Sequence, residues 1–257
     1  MTIAPPITRF AGLPIRPVDV DDNVRLLAER DPAAPFAAYT TPNVEFVYLR
    51  RKHADMAQAM EDSFVCSNDS RILHRLGKLA GLELKFSPGS YVVRRLFEDG
   101  IVAPNDPVTV IGVTPEIVGV IRERFGLRNL HHHIPPMGFI HNEDAVRAAV
   151  DFVAANPSRF IFIAVGPPQS ERFCRKLAQN GRVTGLGLCI GSSLLVLTGR
   201  GTSAPDFMEK TGLVWLYRLA MEPGRLWRRY LVNDLQGLAV CLADILAIRL
   251  KMRRTDA

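Results

Sequence analysis

The chain has 257 residues, of which 47% are hydrophobic and 23% are charged, and its formal net charge at pH 7 is +6. Such a chain can bury a full hydrophobic core, which excludes a wholly disordered protein. The positive balance favours an anionic partner, whether a nucleotide, a nucleic acid or an anionic membrane surface.

The N-terminal segment, residues 1–35, is predicted to be a loose arm followed by one short helix. Its first part is rich in proline, and its apolar runs are too short for a signal peptide. We therefore expect the folded core to begin after this segment.

Residues 36–205 are predicted to form the core domain. Apolar strand-like segments alternate here with helical patterns, which is typical of a parallel sheet flanked by helices. The predicted strands cover residues 36–43, 63–69, 108–112, 160–166 and 185–191. The predicted helices cover residues 44–60, 70–80 and 143–155, one that Thr114 and Pro115 open, and one that reaches Gln179. We expect a Rossmann-like α/β fold.

Polar residues follow several of the predicted strands. In sheets of this kind, ligands bind at the carboxyl ends of the strands. Thr41, Asn43, Asp69, Gly112 and Gln169 would all gather there. This edge of the sheet is the predicted ligand site.

Asp69 is the acid in the segment SFVCSNDSRIL, directly after a short predicted strand. A carboxylate at the mouth of the sheet can act as a general base. The alternative is a helix N-cap, a position that suits Asp well. From the residues alone, the N-cap is slightly favoured. Asn43 has the same two interpretations, because its amide can bind a base or a sugar but is also common in turns.

The segment GPPQSE, residues 166–171, joins a predicted strand to a helix. Helix N-termini bind phosphate through their unpaired N–H groups and the helix dipole. Neither GxGxxG nor the P-loop pattern occurs in the sequence, so the usual nucleotide fingerprints do not apply.

No metal site is predicted. His131, His132 and His133 are consecutive, and neighbouring residues on a strand point to opposite faces, so they cannot easily share one ion. The cysteines show no CxxC spacing and lie in apolar stretches, which predicts reduced core residues of a cytoplasmic protein. They are Cys66, Cys174, Cys189 and Cys241.

Residues 206–257 are predicted to form a basic helical appendage. Pro223 and Gly224 favour a kinked or two-helix element, and Arg218, Arg225 and Arg228 have the spacing of one helical face. The later apolar stretch, residues 235–250, contains Gln236 and Asp244 and falls short of the roughly 20 residues of a membrane span. We expect a soluble or peripheral protein whose apolar tail could contact a membrane or a second copy of the chain.

Taken in chain order, these segments resemble the WecG/TagA/CpsF family of bacterial glycosyltransferases, glycosyltransferase family 26. The resemblance extends from about Phe36 to Tyr230. The family motifs correspond here to Thr41-Pro42-Asn43, Ser67-Asn68-Asp69-Ser70-Arg71, Ile111-Gly112-Val113, Pro135–Phe139, the G-x-P-x-Q-E region at Gly166–Glu171, and Leu213–Tyr230.

The resemblance implies a hexosyltransferase that moves a sugar from a UDP-sugar to a polyprenyl-diphosphate-linked saccharide in surface or exopolysaccharide synthesis. It implies inversion at the anomeric carbon, no metal ion and no cofactor. It also implies the compact Rossmann-like fold called GT-E, at the cytoplasmic face of the cell membrane. The appendage would complete the active site and touch anionic lipid.

The same resemblance assigns roles to residues. Asp69 would be the base, Thr41 would position the substrate, and the three appendage arginines, Arg218, Arg225 and Arg228, would stabilise the departing UDP. The implied substrate-binding residues are Asn43, Gly112, Gly138, Gln169 and Glu171.

Three positions depart from the family pattern. Leu195, Ser203 and Val214 stand where relatives commonly carry Asp, Arg and Glu. These changes put the donor sugar in doubt and leave a second hypothesis open, a non-catalytic member that binds a nucleotide sugar or a partner enzyme. A nucleic-acid partner is not expected, because no recognition-helix, RRM or KH pattern accompanies the basic charge.

Overall fold

The computed structural model describes residues 5–201, 208, 211 and 213–250, with the side chain of Arg225 excepted. The N-terminal segment forms an antiparallel hairpin of β1 (Thr8–Phe10) and β2 (Leu13–Ile15), followed by helix α1 (Val20–Glu29). Phe10, Leu13 and Ile15 are fully buried. The expectation of a loose arm is therefore wrong, because these apolar side chains have a core to pack against.

A six-stranded parallel sheet forms the centre of the molecule. Its strands are β3 (Ala37–Thr40), β4 (Val65–Cys66), β5 (Val108–Gly112), β6 (Leu130–His133), β7 (Phe160–Ala164) and β8 (Leu186–Cys189). Their spatial order is β4-β3-β8-β7-β5-β6. The prediction of a Rossmann-like α/β sheet is confirmed. The central strands are buried along nearly their whole length, as helices on both faces require.

Nine helices of the core alternate with these strands among the residues described. They are α1, α2 (Val44–Lys52), α3 (Ala54–Glu61), α4 (Arg71–Leu79), α5 (Gly89–Glu98), α6 (Pro115–Phe125), α7 (Glu143–Ala155), α8 (Gln169–Asn180) and α9 (Ser193–Leu197). The helix predicted for residues 44–60 is two helices, because His53 has an extended backbone that ends α2 and precedes α3. Thr114 and Pro115 open α6 as predicted.

The sheet separates two hydrophobic layers. One contains Val92, Leu96 and Phe162, and the other contains Ile161 and Phe173, so alternate residues of β7 pack on opposite faces. A third cluster joins the N-terminal hairpin and α2 to the last helix of the chain. The C-terminal segment is thereby attached to the core.

The C-terminal segment consists of α10 (Val214–Met221), α11 (Pro223–Arg228), a π-helical segment (Arg229–Asp234) and α12 (Leu235–Arg249). The break at Glu222 confirms the predicted two-helix element. From Leu226 to Arg249 the chain is continuously helical for 24 residues, with a mean hydropathy of 1.7 over an 18-residue window. The prediction that this stretch is too short for a membrane span is therefore wrong, because the helix begins at Leu226 and not at Leu235. By length and composition this helix could cross a bilayer, and core helices of soluble proteins meet the same criterion.

The packing of α12 decides which of its faces is covered. Cys241 and Ile245 are buried, and a Cβ atom at Gly237 would collide with the carbonyl oxygen of Val44. On the opposite side, leucines at spacings of seven, four and four are more than half exposed. These are Leu235, Leu242, Leu246 and Leu250, which we call the leucine stripe. The helix thus lies on the core with one apolar face uncovered.

Candidate active site

A cavity of about 280 Å³ opens where β3, β4 and β8 end. One wall comes from the loops that follow these strands and includes Thr41, Asp69 and Cys189. The opposite wall comes from the C-terminal segment and includes Arg218 and Tyr230. The position agrees with the expected ligand site at the carboxyl ends of a parallel sheet.

Asp69 lies in this cavity wall, in the loop between β4 and α4, and its carboxyl group contacts the N-terminus of α5. Its Oδ1 atom accepts a hydrogen bond of 3.0 Å from the backbone N–H of Gly89. The N-cap of α4 is Ser70, whose hydroxyl accepts from Leu73 N, so the N-cap interpretation of Asp69 is wrong. Burial raises the pKa of Asp69 to about 6, although the Gly89 hydrogen bond and the charges of Arg218 and Arg229 oppose this shift.

Thr41 directly follows β3 and lines the cavity together with Asp69. Its hydroxyl donates a 3.4 Å hydrogen bond to the carbonyl oxygen of Cys189 at the end of β8. A Cβ atom at Gly89 would come within 3.2 Å of Thr41 Oγ1, a tight contact, so glycine eases the close approach of α5 to Thr41. The predicted pair of Thr41 and Asp69 is thus brought together by three strand ends and one helix N-terminus.

Glu171 is a second buried carboxyl group on the cavity wall, in the first turn of α8. It is 2% exposed, and its Oε2 atom has no hydrogen-bond partner in the described structure. Burial raises its pKa to about 7, so it is partly protonated at neutral pH. A buried carboxyl oxygen without a partner that faces a cavity is suited to a ligand hydroxyl.

Asn43 and Glu45 lie at the start of α2. Asn43 is the N-cap, and its side-chain oxygen accepts a hydrogen bond from Glu45 N at 3.0 Å, which agrees with the turn interpretation. The side chain of Asn43 also lines the cavity. Glu45 is 7% exposed and forms an ion pair with Arg229, with 2.9 Å between Oε2 and Nε. Its other oxygen accepts from Asn233 Nδ2 at 3.1 Å.

Asp234, at the end of the π-helical segment, is a third cavity carboxyl group with a raised pKa. The pKa is raised to about 7, mainly by burial; the charge of Arg229 opposes this shift and the charge of Glu45 adds to it. Its Oδ1 atom has no hydrogen-bond partner in the described structure. The cavity therefore combines several carboxyl groups with the guanidinium groups of Arg71, Arg218 and Arg229.

The three predicted arginines have different surroundings. Arg218 lines the cavity. Arg228 is exposed, and its guanidinium lies 5.7 Å from the ring centroid of Trp227, away from the cavity walls. The side chain of Arg225 lies outside the described structure. Since the break at Glu222 resets the helical phase, Arg218 and Arg228 do not share one face.

Three other predicted residues are not part of the cavity walls. Gly112 has a φ of +90°, and a Cβ atom there would come within 3.0 Å of the carbonyl oxygen of Ala164. Gly138 has a φ of +72° and begins a short 3₁₀ helix. Gln169 is the first residue of α8, whereas its neighbours Ser170 and Glu171 both reach the cavity. The roles of these three residues stay predictions.

The histidine run lies on β6, the edge strand of the sheet. His132 Nε2 is 3.0 Å from the carbonyl oxygen of Gly112, and His133 stacks on Phe152. Within the described ranges, no three His, Cys, Asp or Glu side chains are grouped closely enough to hold a metal ion. The four cysteines are buried and free.

The sequence patterns missed Glu45, Arg229 and Asp234. All three depend on contacts between α2 and the π-helical segment, about 190 residues apart along the chain. Arg229 directly follows Arg228 in the sequence, so a helical face displaced by one residue would include Arg229 in place of Arg228. For Glu45 and Asp234 the sequence holds no pattern that separates them from surface acids.

A family model described as "Glycosyl transferase WecG/TagA/CpsF family" matches residues 8–251. Two similar proteins are both named N-acetylglucosaminyldiphosphoundecaprenol N-acetyl-beta-D-mannosaminyltransferase. The one from Bacillus spizizenii is 36% identical over 86 residues, which cover 33% of this chain and 32% of the relative. The one from Bacillus subtilis is 33% identical over 99 residues, which cover 38% of this chain and 37% of the relative. The chain thus spans about a third of the length of these relatives.

Proposed function

This chain belongs to the WecG/TagA/CpsF glycosyltransferase family, and we propose that it transfers a sugar from a UDP-sugar to a polyprenyl-diphosphate-linked saccharide. The names of the two Bacillus relatives point to an acceptor of the N-acetylglucosaminyl-diphosphoundecaprenol type. They also make UDP-N-acetylmannosamine the first donor to test.

The observation that carries this proposal is the juxtaposition of Asp69 with two guanidinium groups in one cavity. A general base works best when its pKa lies near the working pH, and burial brings Asp69 to about 6. Arg218 and Arg229 reach the same cavity from the opposite wall. A base on one side and fixed cations on the other suit an attack by a hydroxyl group and the departure of a diphosphate.

The proposed reaction is a single displacement with inversion. The acceptor hydroxyl oxygen forms a bond to the anomeric carbon, while the bond between that carbon and the β-phosphate oxygen of UDP breaks. Asp69 takes the hydroxyl proton, and UDP leaves with the bonding electron pair. The transition state has oxocarbenium character, as in other glycosyl transfers. The guanidinium groups stabilise the growing charge on the diphosphate without a metal ion.

Thr41, Asn43 and Glu171 are proposed to hold the sugars. Each lines the cavity, and Glu171 has an unpartnered carboxyl oxygen. The unusual Val214 also lines the cavity, and Leu195 packs against the sheet core. An apolar side chain at 214 cannot make the polar contacts that a glutamate would make, so the donor has to be identified from a panel of UDP-sugars. Ser203 lies outside the described residues.

The proposal is tested with a panel of UDP-sugars and a polyprenyl-diphosphate-linked N-acetylglucosamine acceptor, with products identified by mass spectrometry. We expect one donor to give an extended lipid-linked saccharide and free UDP in equal amounts. UDP binding without transfer from any donor would refute catalysis and support the non-catalytic alternative. No UDP binding and no transfer would refute both.

We further propose that the C-terminal segment seats the protein on the cytoplasmic membrane surface. The leucine stripe on α12 continues in Leu231 and Trp227, which are about half exposed. Since α12 packs on the core through its other face, the stripe can enter the interface while the core stays outside. Each leucine that leaves water contributes on the order of 1 kcal/mol, and basic residues near anionic lipid contribute a similar amount.

Two leucine-to-glutamate substitutions test this proposed membrane contact. Leu242→Glu with Leu246→Glu should abolish flotation of the full chain with vesicles that contain anionic lipid. Gln236→Glu adds a negative charge at an exposed polar site of the same helix and should leave flotation nearly intact. Equal flotation of the double variant and the unchanged chain would refute the proposal. A second copy of the chain as the occupant would instead appear as a dimer that the double variant splits.

A further inference from the structure

Arg71 is a cation of the cavity wall to which the proposed reaction gives no role. It is the first residue of α4, two residues after Asp69, and it lines the cavity together with Phe86. Its guanidinium carbon lies 4.3 Å from the centroid of the Phe86 ring. Within the described ranges this guanidinium has no hydrogen bond and no ion pair, so no described carboxylate neutralises its charge.

The contact with Phe86 holds the cation and leaves hydrogen-bond donors unused. An aromatic ring attracts a guanidinium electrostatically and covers only the side that faces it. A guanidinium has five N–H donors in one plane, and they match phosphate oxygens in charge and in geometry. Arg71 can therefore bind an anion in the cavity while it stays on the ring.

The position of Arg71 at the start of α4 also favours a bound anion. Helix N-termini carry a partial positive charge, so an arginine as the first residue is unfavourable unless an anion is near. At α5 the carboxyl group of Asp69 fills this role, because it accepts from Gly89 N. α4 has no acid in its first turn, and its N-cap Ser70 supplies only a hydroxyl group. An anion beside Arg71 would remove this repulsion.

Arg71 serves a part of the cavity away from the base. The charges of Arg218 and Arg229 oppose the raised pKa of Asp69, and Arg71 adds no comparable effect although it is nearer in sequence. The donor diphosphate leaves from the carbon that the acceptor hydroxyl attacks, so it belongs near the base. The acceptor diphosphate is attached to the anomeric carbon of the acceptor sugar and lies a sugar ring away from the attacking hydroxyl. A cation in the same cavity but farther from Asp69 suits this second diphosphate.

We infer that Arg71, held by Phe86 at the start of α4, binds the diphosphate of the lipid-linked acceptor. This inference rests on the proposed function, because it names the group that recognises one of the two proposed substrates. Arg71 touches the acceptor and is an acceptor-binding residue, whereas Phe86 acts through Arg71 and is a positioning residue.

Binding to the full chain is measured by calorimetry with three ligands. They are farnesyl-diphosphate-linked N-acetylglucosamine, the farnesyl glycoside of the same sugar without phosphate, and UDP. Arg71→Gln should weaken binding of the diphosphate acceptor at least about tenfold, because a hydrogen bond to a charged group contributes at least this much. Binding of UDP and of the phosphate-free glycoside should stay within about twofold. The control is Arg94→Gln, an exposed arginine on α5 outside the cavity wall, which should bind all three ligands like the unchanged chain.

Steady-state transfer assays separate binding from catalysis. In Arg71→Gln the KM for the acceptor should rise about tenfold or more, while kcat and the KM for the donor stay within about twofold. Phe86→Leu should raise the acceptor KM severalfold, and Phe86→Tyr, which keeps the ring, should restore it. Circular dichroism and urea unfolding verify that each variant is folded.

The outcomes distinguish a failure of the inference from a failure of the proposed function. The inference is overturned, and sugar transfer still stands, if Arg71→Gln keeps its acceptor KM, if it loses UDP binding as strongly as acceptor binding, or if Arg94→Gln loses as much. An unchanged chain that binds the diphosphate acceptor no better than the phosphate-free glycoside also overturns the inference. If the acceptor binds through Arg71 but no donor gives transfer, the proposed function is overturned and the acceptor site is retained.

Discussion

The pH dependence of sugar transfer follows from the burial of Asp69. With a pKa of about 6, the carboxylate is ionised in about 90% of molecules at pH 7 and in about 10% at pH 5, by ordinary single-site titration. The transfer rate under saturating donor and acceptor should therefore fall about tenfold between pH 7 and pH 5. An aspartate with the ordinary pKa of 3.8 would stay mostly ionised over this range and lose almost no rate.

Asp69→Asn removes the base and keeps the local structure, because the Asn oxygen can still accept from Gly89 N. The turnover number should fall at least about a hundredfold, the usual contribution of a positioned general base. The same change should stabilise the fold above pH 6. The folded state raises the pKa from 3.8 to about 6, which penalises the ionised form by about 3 kcal/mol at 1.4 kcal/mol per pKa unit.

The sign of the stability effect provides an internal check. A raised carboxyl pKa destabilises the fold fully above pH 6, and this penalty disappears below about pH 4, where the carboxyl is protonated in both states. The free energy of unfolding in urea, measured at pH 7.5 and pH 4, should thus differ between the unchanged chain and Asp69→Asn only at the higher pH. Asp144→Asn, at an exposed site, is the control for both assays. A flat rate profile from pH 7 to pH 5, with normal turnover in Asp69→Asn, would refute the reasoning.

Three further predictions concern the same cavity. Arg218→Gln should lower the turnover number about a hundredfold in steady-state assays, because one preorganised donor to a developing anion is worth about 3 kcal/mol; a change below threefold would contradict its role. Glu171→Gln should raise the free energy of unfolding in urea by about 1–3 kcal/mol at pH 8 and leave it unchanged at pH 4. The reason is that burial raises the pKa of this carboxyl from 4.5 to about 7. A variant that is as stable as the unchanged chain at both pH values would contradict this prediction. Exhaustive treatment with EDTA should leave the transfer rate unchanged, and a loss that Mg²⁺ restores would refute metal independence.

The sequence predicts those parts of the fold that depend on local pattern. β5 and β7 are runs of Val, Ile and Phe that need two covered faces, and the helix at Thr114 begins with the expected Thr-Pro pair. The N-terminal hairpin escapes prediction because Pro14 interrupts it and its turn uses positive φ angles at Ala11 and Gly12. α5 was not predicted, although its buried apolar residues have helical spacing.

For the site, the sequence predicts the strand-end residues and not those of the C-terminal segment. Thr41 and Asp69 follow strands, so the geometry of a parallel sheet is enough to bring them together. The predicted alignment of Arg218, Arg225 and Arg228 on one face requires a single uninterrupted helix from residue 218 to residue 228. The break at Glu222 and the π-helical turn after Arg228 change the helical phase, and Arg229 reaches the cavity instead. Glu45 is then identified only by what it contacts.

The electrostatics of the cavity depend on the docking of the C-terminal segment. Tyr230 and Trp215 pack with their ring centroids 6.0 Å apart, and both line the cavity that contains Asp69. Because burial is the main cause of the raised pKa of Asp69, and because Arg218 and Arg229 come from the same segment, removing that segment would take away both effects. The base would return towards an ordinary carboxyl pKa, and the cations would be lost with the cover. The π-helical segment that supplies Arg229 and Tyr230 is continuous with α12, which carries the leucine stripe.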